Sequence, residues 1–221
     1  MIDYMYISLD IETMNPSLKG LSFSSSEGWK TSCVCIYDSV KDKVFSFVKN
    51  PDYIRSFYTE NTHQVLQDLY SFEDLKVFFT AWYKQGYTLI THNGNSFDMP
   101  ILCKSITEGG ADLQDIYDLF VKDSKVIDTC EYLRIITGRR FSLQNLIKGV
   151  LGDSESKLMD GGNAPIEWLN KNYLKVLVYC IGDAVYTYQV YNTVKENGGV
   201  LTAKYKQNKK LIETTVKDID W

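Results

Sequence analysis

The stretch Ile7-Ser8-Leu9-Asp10-Ile11-Glu12-Thr13 decides how the rest of the chain is read. The run from Tyr4 to Leu9 carries no charge and favours a strand, and two carboxylates follow it. Successive side chains of a strand point to opposite faces, so Asp10 and Glu12 share one face and Leu9 and Ile11 the other. Two such carboxylates on an apolar strand repel each other and lose hydration, which is costly unless a cation lies between them. Alone, the stretch leaves two readings open: a strand that frays into solvent at Asp10, or a metal site.

Working outward, 221 residues with 44% hydrophobic and 24% charged side chains suit one globular domain over 1–221 with a substantial core. No apolar run reaches transmembrane length, and Met1-Ile2-Asp3-Tyr4 lacks the basic start of a signal peptide. A soluble, cytoplasmic protein with no membrane partner is expected. Five scattered cysteines without a Cys-x-x-Cys pair exclude a zinc ribbon and a disulfide framework, and Cys33 and Cys35 read as small fillers on one strand face. Two histidines, His63 and His92, do not suffice for a three-histidine zinc site. A net charge of −4 argues only weakly against nucleic acid, because metal-binding acids make a metal-free chain look more acidic than the loaded one.

Past Thr13, residues 14–30 read as an exposed, mobile loop. Strands near 32–37 and 44–48 form an antiparallel meander with the first, and 50–72 read as loosely helical or irregular. A helix over 71–84 begins at Ser71 with Asp74 three residues on, an acidic variant of the capping box. A strand over 86–92 leads into Asn93-Gly94-Asn95-Ser96-Phe97-Asp98, where Ser96 caps a helix and Asp98 lies in its first turn just beyond a strand end. Ligands of such sheets bind beyond strand ends, although a first-turn acid also simply complements a helix dipole. Helices are expected over 112–122, 129–137 and 141–148, with a short strand at 125–127 and Asp128 as an N-cap. A Gly, Ser and Asp rich loop occupies 153–164, and a long helix spans 165–197 with a break near Asn170. That helix has one apolar face of Leu174, Val178, Ile181, Val185 and Tyr188, and Asp183 and Tyr179 share the opposite face with Val176, Tyr186 and Val190; only a narrow stripe of Lys171, Lys175, Gly182 and Gln189 is polar, so the helix is expected to be buried on most sides. A buried carboxylate needs a partner. A closing strand is expected after Gly199, in a tail made basic by Lys204, Lys206, Lys209 and Lys210.

Four acids therefore stand out: Asp10, Glu12, Asp98 and Asp183. Oxygen ligands without cysteine or histidine clusters favour Mg²⁺ or Mn²⁺ over zinc. Two such ions form a clamp for displacement at a phosphodiester.

The same residues resemble the DEDD superfamily of 3′–5′ exonucleases. Asp10-Ile11-Glu12 is similar to its Asp-x-Glu motif, Asn93 to Asp98 to its Asn-x-x-x-(Phe/Tyr)-Asp motif, and Tyr179 to Asp183 to the Tyr-x-x-x-Asp motif of the tyrosine subclass; Val178 stands where the histidine subclass carries His. The resemblance runs from Tyr4 to Tyr191. It touches both the proofreading domains of family B polymerases and small stand-alone predicted exonucleases, the latter through His92-Asn93-Gly94 and Ser142-Leu143-Gln144-Asn145-Leu146. It implies an α/β, ribonuclease H-like fold, with a mixed central sheet (antiparallel first strands, then parallel) flanked by helices. It also implies two Mg²⁺ or Mn²⁺ ions on Asp10, Glu12, Asp98 and Asp183, a water oriented by Tyr179, and Thr13, Asn93 and Phe97 against the substrate, although Phe97 reads more readily as packing its helix than as stacking on a base.

The expected activity is removal of mononucleotides from the 3′ end of single-stranded DNA or RNA, by a free-standing nuclease or a subunit with a protein partner. The alternatives are a catalytically idle nuclease-fold module that binds nucleic acid or a protein, and a small nucleotidase. Arg139, Arg140 and Lys104 are the nearest basic residues for backbone contacts, and each also reads as a solvated side chain.

Overall fold

A computed structural model of the chain describes residues 4–15, 21–22, 25–58, 64–152, 154–155, 157–207 and 210–221. The uncharged run before Asp10 becomes β1 (Tyr6–Thr13), a central strand, because both of its faces are covered. It pairs antiparallel with β2 (Thr31–Asp38), which pairs antiparallel with β3 (Lys43–Val48). The meander read from the sequence is present. Helices α1 (Pro51–Arg55) and α2 (Gln64–Gln67) precede β4 (Leu69–Ser71), which lies parallel to β3 at the sheet edge. The expectation of irregular structure over 50–72 missed β4, whose three residues are too few to show an alternation.

Helix α3 (Phe72–Gln85) starts with the expected cap: Ser71 Oγ accepts from Asp74 N at 3.3 Å, and the Asp74 carboxylate accepts from Ser71 N at 3.0 Å. Strand β5 (Thr88–Thr91) then runs parallel to β1. Next come α4 (Asp98–Leu102), α5 (Gln114–Lys122), β6 (Val126–Asp128) parallel to β5, and α6 (Thr129–Thr137). The sheet order is β4-β3-β2-β1-β5-β6. This antiparallel-then-parallel sheet, flanked by helices, is the ribonuclease H-like arrangement.

The two faces of β1 divide the core. Ile7, Leu9 and Ile11 pack with Val34, Ile36, Phe47, Leu75, Phe79 and Trp82 on one side. On the other, Asp10 and Glu12 stand beside Cys35 and Cys33, their partners in register on β2. That second face is covered by the C-terminal helices. After α7 (Leu143–Leu146) the backbone continues through a π-helical turn, Ile147–Leu151, and this helical run stops at Gly152. Helix α8 (Ala164–Leu169) is separated from α9 (Tyr173–Glu196) by the expected break, with Lys171 at φ 65°.

The face of α9 that carries Tyr179 and Asp183 is the more deeply buried one, so the buried setting expected for Asp183 is present. Val176, Leu177, Cys180, Asp183, Ala184 and Thr187 are buried, whereas Val178 is 36% exposed, and Leu174, Ile181, Val185 and Tyr188 are only half-buried. The helix is apolar on most sides, so its pattern does not choose a face. Small residues let the backbone approach the sheet, and Ser8 Oγ donates to the Ala184 carbonyl at 2.7 Å. Cys180 joins the pair on β2, so three sulfurs lie within 4.8 Å of one another in the core.

The expected closing strand is instead a hairpin of β7 (Leu201–Gln207) and β8 (Lys210–Val216), paired with itself and not with the main sheet. It packs Leu201 and Ala203 against Leu143, Leu146 and Ile147. The approach is close enough that a Cβ at Gly149 would lie 1.9 Å from the Thr202 carbonyl oxygen. Of the basic tail, Lys209 and the side chain of Lys206 lie outside the described residues. No helix among the described residues is long and apolar enough to cross a membrane.

Candidate active site

Asp10 and Glu12 reach the site from β1, and Asp183 meets them from α9. One oxygen from each of the three lies within 4.8 Å of the others. Glu12 is 8% exposed and Asp183 2%, so little water reaches them. Asp10 Oδ2 and Asp183 Oδ1 are buried without a hydrogen-bond partner among the described residues. Burial, and then the negative charge of Asp183, raises both Asp10 and Glu12 well above the usual carboxylate range. Three clustered carboxylates with lone pairs aimed at one another, and no nitrogen or sulfur ligand among them, suit a hard divalent cation.

Asp98 stands slightly apart. It opens α4, and its Oδ1 accepts from Ile11 N at 3.2 Å, which ties that helix to β1 between the other two acids. It lies outside the group of three. Burial, followed by the charge of Asp128, raises it to about 7. The expected Ser96 cap is not formed: Phe97 holds the N-cap position, with no side-chain cap bond. The Phe97 ring instead stands edge-on to Trp29, with centroids 5.1 Å apart.

Tyr179 lies one turn before Asp183 on α9. Burial and the surrounding carboxylates, Asp183 first, push its hydroxyl far above the ordinary phenol range, so it stays protonated. Its oxygen accepts from Lys157 Nζ at 3.2 Å, and the same Nζ is ion-paired with Asp183. Sequence reasoning missed Lys157. It sits in the polar loop before α8, where no period or motif distinguishes one lysine from another. Burial pulls its ammonium down, but Asp183, Asp10 and Glu12 together raise it, so it is charged. The loop is held by Lys157 N, which donates to Gln144 Oε1 at 2.8 Å.

The eight residues that the resemblance assigns to metal, water or substrate, Thr13, Asn93 and Phe97 included, line one cavity of about 570 Å³; Lys104, Arg139 and Arg140 are not among its lining residues. A family model described as a predicted 3′–5′ exonuclease related to the exonuclease domain of PolB matches residues 65–220. The chain belongs to this exonuclease family. No curated protein matches it. The matched residues carry Asp98, Tyr179 and Asp183. Asp10 and Glu12 precede them, and the fold brings β1 alongside so that the acids meet.

In this member of the PolB-related exonuclease family the turn after β5 is built tightly. Asn93 adopts φ 73°, and its N–H donates to Asp128 Oδ1 at 2.8 Å, while Asn95 N donates to Oδ2 at 2.9 Å. Asp128 also caps α6 through Cys130 N and Glu131 N. The cap read from the sequence is therefore present, and it pins the Asn93 turn as well. His92 is held between Thr129 Oγ1 at 2.9 Å and the Phe141 carbonyl at 3.0 Å. The carbonyl can only accept, so Nε2 carries the proton. Burial lowers His92 to about 4, so it is neutral at pH 7 and braces the turn.

Gly94 packs so closely on Thr91 that an added Cβ would lie 2.5 Å from the Thr91 Cβ. Gly94→Ala is expected to cost about 1–3 kcal/mol of stability from overpacking, read as a lower urea midpoint. Lys104 is taken up by the first loop: its Nζ donates to the carbonyls of Ser26 at 2.6 Å and Trp29 at 2.7 Å. That structural use removes it as a candidate for backbone contacts. It also tethers residues 25–30, with Trp29 buried, so this end of the loop read as mobile is fixed; 16–20 and 23–24 lie outside the described residues.

Proposed function

We propose that the chain is a metal-dependent 3′–5′ exonuclease acting on single-stranded nucleic acid, with residues 1–221 forming one catalytic domain. The observation that carries this is the meeting of Asp10, Glu12 and Asp183 with two buried oxygens lacking any hydrogen-bond partner among the described residues. Three clustered carboxylates, two buried and one half-buried, balanced among the described lining residues by the single ammonium of Lys157, are disfavoured, whereas the same trio around divalent cations is satisfied. Asp10, Glu12 and Asp183 would hold Mg²⁺ or Mn²⁺, with Asp98 completing the set for a second ion. When bound, two such ions activate a water and stabilise the leaving oxygen of a phosphodiester.

The protein's own groups do the positioning. Tyr179 keeps its proton, so it cannot act as general base. It orients the attacking water by a hydrogen bond instead. The water oxygen forms the new bond to phosphorus and the bond to O3′ breaks. A 5′-mononucleotide leaves, and the strand keeps a free 3′-hydroxyl, one nucleotide shorter. The proton lost by the water passes to solvent and O3′ is protonated. Lys157, the one cation among the described lining residues, would offset the charge of the scissile phosphate from the edge of the acid cluster. Thr13, Asn93 and Phe97 face the terminal nucleotide across the cavity.

Tyr179→Phe is expected to lower kcat about 10- to 100-fold through loss of water orientation, with KM little changed. Steady-state digestion rates check this. The function itself is tested by digesting single strands of DNA and of RNA, labelled at the 5′ end, with Mn²⁺, Mg²⁺ or EDTA. A ladder shortening by one nucleotide at a time, absent in EDTA, supports the reading. Internal cuts, or no shortening by folded protein with either metal, would overturn it.

A further inference from the structure

A second cavity, of about 370 Å³, adjoins the acid-lined one and is walled by Arg139, Arg140, Phe141, Asn145 and Tyr205. The two share a partition: Asn93 lines the catalytic cavity, and its Oδ1 accepts from Arg140 Nη2. Arg139 Nη1 donates to the Tyr205 hydroxyl at 2.9 Å, which fixes the first guanidinium against the hairpin. Both arginines are exposed, and Phe141 behind them is buried. The Tyr205 and Phe141 rings stand 6.0 Å apart.

We infer that this cavity binds the next nucleotides of the same strand, on the 5′ side of the scissile phosphodiester. The inference rests on the exonuclease reading and adds to it. Three facts point to this ligand. The catalytic cavity is lined by carboxylates, with Lys157 its one cation among the described lining residues, so it repels a polyanion until metal enters. The two arginines stand next to it and match the charge of the backbone. A guanidinium carries five N–H donors, so one already bonded to Asn93 or Tyr205 still forks onto a phosphate. Tyr205 supplies an aromatic face for a base at the same place, the pairing of cation and ring that non-specific single-strand sites use. The chain chemistry thus gives the β7–β8 hairpin a purpose outside the catalytic sheet: it carries the outer wall of the strand's path.

The test uses two arms. In the first, binding of 5′-fluorescein-labelled hexathymidylate is followed by anisotropy in Ca²⁺ over a range of salt. In the second, kcat/KM is measured with Mn²⁺ on tetrathymidylate and on the p-nitrophenyl ester of thymidine 5′-monophosphate, which is too short to reach the arginines. Arg139→Ala with Arg140→Ala is expected to weaken hexamer binding about 10- to 100-fold. It should also reduce the salt slope by about 1.4, the value for two released phosphates on a single strand. The ratio of tetramer to ester kcat/KM should fall about tenfold or more, and Tyr205→Leu should lower it in the same direction. The paired Arg→Lys variants should retain the salt slope.

Unchanged binding, slope and ratio in the alanine variants would overturn the subsite while ester hydrolysis leaves the exonuclease standing. Absence of turnover by wild type, with the binding loss intact, would instead remove the catalytic reading and keep the subsite.

Discussion

Asp183→Asn is expected to slow strand digestion by at least about 10³-fold, equivalent to about 4 kcal/mol of transition-state stabilisation. The substitution keeps the side chain's size, so α9 still packs on β1 and β2. It removes one of the three charges that meet at the cation position. Asp10→Asn is expected to behave alike, because Asp10 also offers a buried oxygen with no hydrogen-bond partner among the described residues. Initial rates on a 5′-labelled strand at saturating Mn²⁺ measure both. A loss of less than tenfold would mean that the trio is not where the chemistry occurs. The unfolding transition of each variant should stay cooperative, which separates loss of charge from loss of structure.

Asp98→Asn is expected to combine lost activity with gained stability. The carboxyl of Asp98 has an ordinary value of 3.8 and is raised to about 7 in the fold. A group raised in this way contributes stability that is fully present below about pH 3.8 and is lost as pH rises through about 7. Above that, the ionised side chain opposes folding by up to about 4 kcal/mol, at about 1.36 kcal/mol per pKa unit. Asparagine carries no such charge and still offers Oδ1 to Ile11 N. Metal-free Asp98→Asn should therefore exceed wild type in urea-unfolding free energy at pH 8, by an amount approaching that figure. The gap should shrink at pH 5 and vanish near pH 3.8. A variant less stable than wild type at pH 8 would show that the carboxylate is not held against its charge.

These acids were legible in the sequence for a physical reason. A strand that alternates shows its two faces, so Asp10 and Glu12 identify themselves as sharing one. An Asp amid Val, Cys, Ile and Ala on a long helix identifies itself as buried. Tyr179 and Asn93 were reached through the resemblance and are now seen to line the same cavity. Which of the two apolar faces of α9 lies deeper was not legible, because a helix apolar on most sides carries no phase. Three-residue β4 has no period. The tail read as a strand without showing its partner, and pairing of β7 with β8 is a tertiary fact. Lys157 had no signal at all: only the fold shows that a polar loop returns across Asp183. For Lys104 the charge was visible and its use was not, since two backbone carbonyls of a distant loop claim it.

The most direct test of the central claim, that Asp10, Glu12 and Asp183 form a divalent-cation site, is anomalous diffraction near the manganese edge from crystals equilibrated with Mn²⁺. The expected result is an anomalous peak at coordination distance from Asp10 Oδ2 and Asp183 Oδ1, with the Lys157 ammonium moved off Asp183. Crystals of an active preparation that show no peak there, with Lys157 still paired to Asp183, would contradict it.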